Sequence, residues 1–154
     1  MSVVKGERDP GSDNLVTEDL ARGLCVYTIQ ICKNEKNFPK RDRWILTSEI
    51  VKCAVKAYGK IREANSIKVT TEDDYKLRRR DQVKARKKLK RMEGLVEIAG
   101  DVLSLEEDRI VYWGNYIRQT LDLLTKWRES DRKRFTKQLG SKAGKPTIQS
   151  GNPL

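Results

Sequence analysis

The stretch from Tyr75 to Leu103 limits what this chain can fold into more than any other. From Leu89, the apolar residues Leu89, Met92, Val96, Ala99 and Leu103 follow at steps of three, four, three and four. That spacing keeps them on one face of a helix. Tyr75 and Val83 are the apolar residues assigned to the earlier part of the same stripe. Threaded between them are Lys76, Arg78, Arg79, Arg80, Lys84, Arg86, Lys87, Lys88, Lys90 and Arg91, against the single acid Asp81. At about 100° per residue, Arg80, Lys84, Lys87 and Arg91 fall opposite the stripe. One side of this helix can pack while the other presents cations about one turn apart. Thr71, with Asp74 three residues later, has the spacing of a capping box and marks the start of the helix.

A helix with one apolar face needs partners, and three further stretches supply them. Leu20, Leu24, Tyr27 and Ile31 step by four, three and four within a helix predicted over 14–35. Gly23 inside it costs about 1 kcal/mol against Ala, which a close approach by another helix would offset. Asn37-Phe38-Pro39-Lys40 breaks the pattern, with Phe38 placed to plug the end of a core. Leu46, Ile50, Cys53 or Ala54, Ala57 and Ile61 then define a helix over 41–65. Ser104 and Glu107 have capping-box spacing and open a fourth helix over 105–129, with Ile110, Gly114, Ile117, Leu121 and Leu124 as its stripe. Four amphipathic helices of similar length joined by short connections predict an all-α, up-down-up-down four-helix bundle over 14–130. Residues 1–13 read as a flexible lead, and 131–154 as a basic, largely disordered tail.

The net charge is +11. The end segments 1–14 and 129–154 carry −1 and +4, so +8 lies in the body between them. A polyanion, RNA or DNA, is the natural partner for such a surface. The chain has no histidine, which removes the commonest general base and metal ligand. There is no glycine-rich phosphate loop and no nucleophile motif. Neither catalysis nor a cofactor or metal is expected. The three cysteines read as reduced thiols of a cytoplasmic protein. No signal peptide and no membrane-spanning run is expected.

The candidate nucleic-acid contacts are Arg78, Arg79, Arg80, Lys84, Arg86, Lys87, Lys88, Lys90 and Arg91, together with Lys40, Arg41 and Arg43 at the start of the second helix. A helix start disfavours cations, so the last three need either acidic neighbours or an external ligand. Trp44, Trp113 and Trp127 sit near helix ends or on stripe flanks. They either complete the core or form an oligomer interface, where tryptophan is enriched. With no aromatic residue inside the densest basic run, phosphate contact without base readout is expected.

Phe38-Pro39-Lys40-Arg41-Asp42-Arg43 between two amphipathic helices, and a Ser104-Leu105 boundary opening a last helix with Trp127 near its end, form a recognisable pattern. Over about Leu15 to Arg128 the chain resembles the accessory variability determinant proteins of diversity-generating retroelements. These belong to a wider set of bacterial four-helix-bundle proteins found in ribosomal-RNA intervening sequences. The resemblance implies a non-catalytic bacterial or phage protein that assembles as a ring-shaped homopentamer and binds nucleic acid. It also implies a partner, the reverse transcriptase of the same retroelement, during mutagenic copying of template RNA. The intervening-sequence branch implies instead an oligomeric scaffold whose basic face docks an acidic protein.

Overall fold

The computed structural model describes residues 13–150, with the side chains of Arg43 and of 141–150 outside the description. The predicted lead therefore lies almost wholly outside the described residues, as do 151–154. Four helices form: α1 (Asp13–Lys33), α2 (Ser48–Ser66), α3 (Glu72–Val102) and α4 (Glu107–Ser150). No strand occurs among the described residues.

Each helix packs antiparallel to the next, and α4 closes the bundle against α1. Arg62 and Asn65 of α2 both reach Glu18 of α1. Arg91 of α3 meets Glu49 of α2 at 3.4 Å. Arg118 of α4 meets Glu93 of α3. Trp113 of α4 donates its indole N–H to the Thr28 hydroxyl of α1 at 3.1 Å. The core between them holds Leu24, Ile50, Ile61, Leu89, Met92, Ile117 and Leu124. Phe38 seals one end, buried with its ring edge-on to Trp113. Gly23 lies under the Tyr116 hydroxyl, and a Cβ there would collide with it. The glycine thus makes room for the Tyr116 hydroxyl of α4 against α1.

The α3 start follows the expected chemistry. Thr71 and Asp74 form a reciprocal capping box, and Asp74 also accepts from the Thr70 amide and hydroxyl. These bonds, the one from the Thr70 amide first, hold the Asp74 carboxyl below its ordinary value. The α2 boundary differs from expectation. A 3-10 turn (Lys40–Asp42) and a π turn (Arg43–Thr47) precede Ser48.

The larger correction concerns α4. The helix expected to stop near Glu129 continues to Ser150. Asp131 and Phe135 are 3% and 4% exposed, so packing continues past the boundary set at 130. The physical reason is a buried ion pair. Arg78 donates to Asp131 through Nε at 2.7 Å and Nη2 at 3.0 Å. Gln82 donates to the same carboxylate at 2.8 Å. The Phe135 ring lies against Tyr75 and under the Arg78 guanidinium. These contacts tie the first turns of the segment expected to be a tail to α3.

Burial also gives the fold an alkaline sensitivity. It pushes the Cys32 thiol up to about 12 and raises Cys25 and Cys53 above their ordinary value. A folded-state pKa above the unfolded one means stability that is full below the unfolded pKa and falls as pH rises. The urea midpoint should therefore fall progressively above about pH 9, where unfolded thiols ionise. Cys32→Ala should flatten part of that decline; an unchanged slope would place the alkaline sensitivity elsewhere.

Candidate nucleic-acid interface

The residues proposed from sequence separate into three groups. The first belongs to the fold. Arg78 is 5% exposed and fully engaged by Asp131, the Ile67 carbonyl and the faces of Trp127 and Phe135. It is a core residue, not a surface contact, because its place in the α3 repeat points inward. Trp113 and Trp127 are 0% and 1% exposed and sit in the bundle core. That burial removes them as interface side chains. Trp44 is the opposite case, 86% exposed.

The second group carries compensating acids. Lys76 pairs with Glu72, Lys90 with Glu93 and Arg91 with Glu49. Lys40 pairs with Glu35 and Arg41 lies 3.9 Å from Asp42. These last two occupy the α1–α2 connection, beyond the Glu49–Arg91 contact and thus away from the densest cations. The Arg43 side chain lies outside the described residues.

The third group is Arg79, Arg80, Lys84, Arg86, Lys87 and Lys88. Among the described residues none of them has an acid within 4.0 Å. From Arg79 to Lys88 the helix rises about 14 Å, or roughly four base steps of one strand.

Neighbouring helices widen this row on both sides with residues the sequence reading did not single out. On the α2 side, Lys56, Lys60, Lys84, Lys87 and Lys88 line a groove of about 310 Å³. Lys60 is held by Glu63 at 2.8 Å, and the other four have no acid within 4.0 Å among the described residues. The signal was present in sequence: Lys52, Lys56 and Lys60 step by four along one face of α2. On the α4 side stands Arg128. Burial, then the charges of Arg79 and Arg86, pull its pKa below the ordinary value. Its Nε is buried with no hydrogen-bond partner.

Three mutually repelling guanidiniums and a cluster of lysines cost the free protein stability. An anion laid across α2, α3 and α4 would relieve both. The row contains no aromatic ring, so such a surface reads phosphate rather than bases. Among the described residues no helix is long and apolar enough to cross a membrane. No protein-family model, no curated protein and no solved structure matches the chain.

Proposed function

We propose that the protein is a non-catalytic nucleic-acid-binding accessory protein that holds RNA, DNA or an RNA/DNA hybrid by its phosphates. The observation that carries this reading is the α3 row from Arg79 to Lys88: six cations, none with an acid within 4.0 Å among the described residues, and Asp81 the single acid in the stretch, extended by Lys56 and Arg128. A solvated helix face normally mixes signs so that its charges compensate. This one leaves its charge for an external partner.

The resemblance at Phe38 to Arg43 extends the proposal. The nucleic acid would be template RNA or its hybrid, and the partner the reverse transcriptase of a diversity-generating retroelement in a bacterial or phage cytoplasm. One copy spans few phosphates, so a homopentameric ring would repeat the row and lengthen the grip.

The test is binding to a structured RNA and to duplex DNA across a salt series, with light-scattering mass recorded on the same samples. Six phosphate contacts give log K falling against log salt with a slope near −5 on a duplex. A five-fold mass that captures RNA is the result expected of the full reading. Indifference to both nucleic acids at about 0.15 M salt overturns it.

A further inference from the structure

The α1–α2 seam, one helix removed from the basic row, carries a different surface. Ile29, Cys32, Lys33, Trp44, Thr47 and Val51 are among the residues lining an apolar groove of about 400 Å³. Trp44, one of the lining residues, is 86% exposed, in the π turn Arg43–Thr47 that interrupts the α-helical geometry; Ile45 beside it in the chain is 79% exposed. Such turns recur at functional sites. The Thr47 hydroxyl is buried there without a hydrogen-bond partner.

The groove continues as a strip. In the antiparallel register given by the Glu18–Arg62 and Glu18–Asn65 contacts, Val51 falls level with Ile29 and Val55 level with Val26. Both Val26 and Val55 are 47% exposed. From Trp44 to Val55 the strip runs about 16 Å, three turns of a helix laid along the seam. Each end carries a cation; the Arg22 end also carries Asp19 and Glu18, the latter taken up by Arg62 and Asn65. Arg22 and Lys33 lie in line with Val26 and Ile29 at steps of four, three and four. Neither has an acid within 4.0 Å among the described residues.

We propose that this seam docks an amphipathic helix of another protein, with apolar anchors at i, i+4 and i+7 and acidic residues at its ends. Helix-in-groove recognition matches the length and shape of the strip. The end charges select the sign of the partner. They also oppose a two-fold contact with a second copy of this chain, which would bring Lys33 of one copy toward Arg22 of the other. The surface stands apart from the basic row and does not depend on how that row is read.

The test uses two stapled helical peptides of about 15 residues, long enough to span the strip. Both carry Leu at i, i+4, i+7 and i+11; one has Glu flanks and the other Lys flanks. Trp113 and Trp127 are buried, so acrylamide quenching reports Trp44. The Glu-flanked peptide should bind the full-length protein and shield Trp44. Trp44→Ala and Val55→Lys, exposed changes that leave helical content intact, should each weaken it by about tenfold or more in peptide anisotropy. Lys33→Glu should shift preference toward the Lys-flanked peptide. Failure of both peptides to bind overturns the proposal, as does equal binding of the two. An unchanged affinity in Val55→Lys also overturns it, as does light-scattering evidence that self-association already shields Trp44.

Discussion

Asp131→Ala should destabilise the protein by about 3–5 kcal/mol, the usual cost of breaking a buried ion pair from one side. The carboxylate accepts two bonds from Arg78 and one from Gln82, and it is nearly sealed from water. Removing it leaves the Arg78 guanidinium charged, buried and short of acceptors; only the Ile67 carbonyl at 3.4 Å and two ring faces remain. For a chain of this length the melting temperature should fall by roughly 10–15 °C. Trypsin should then cut at Arg132, Lys133 and Arg134, because α4 past Trp127 loses its anchor on α3. The double variant Arg78→Met with Asp131→Leu, made together with Gln82→Leu so that no buried amide is left unpaired, should regain most of the loss, since apolar replacement of a buried pair is often neutral or stabilising. A small loss in Asp131→Ala, or no recovery in the combined variant, would mean the pair is not what holds α4 here.

The same pair shows how much of the fold could be read in advance and what hid the rest. The α3 stripe Leu89, Met92, Val96 and Ala99 is visible because all four are apolar. Continued backward at the same steps, it lands on Ala85, Gln82, Arg78 and Tyr75. Of these, Ala85, Gln82 and Arg78 are buried. A reading by hydropathy passes over Gln82 and Arg78 and takes Val83 instead, which is only half-buried. In α4, Trp127 followed by Asp131 and Phe135 keeps steps of four, and the acid in the middle disguises the repeat. Each polar residue looks like solvent surface alone; together they neutralise each other in the core. Similarly, α1 buries Thr17 and Thr28, whose hydroxyls find the Asp13 carbonyl and the Trp113 N–H. Periodicity therefore located the helices, whereas partners across the bundle decided which polar residues lie inside. The candidate site shows the same division. The α3 row was legible in one helix. Lys56 and Arg128 join it only through the register of α2 and α4.

Neutralising either flank of that row should weaken nucleic-acid binding by about 10²–10³-fold at ~0.1 M salt, with the effect fading toward ~1 M. The figure follows from counterion release. Three lost phosphate contacts at about 0.9 each reduce the salt slope by roughly 2.7. The lysine trio Lys84, Lys87 and Lys88 and the arginine trio Arg79, Arg86 and Arg128 are to be changed to Gln separately and together. Their effects on stability should separate them from ordinary loss-of-fold variants. Arg128 is held below its ordinary pKa by burial and by Arg79 and Arg86, so its charge works against the folded state. Removing the arginine trio should leave the free protein as stable or more so, by urea titration, while its affinity collapses. Stability and binding moving in opposite directions is the signature of charges kept for a ligand rather than for the fold. Arg91→Glu is the informative contrast. It would set a carboxylate against Glu49 and lower stability along with binding. If both trios are neutral and RNA binding is unchanged, the phosphate contacts lie elsewhere. The exposed cations Lys133 and Lys137 on the α4 extension are then the next to remove.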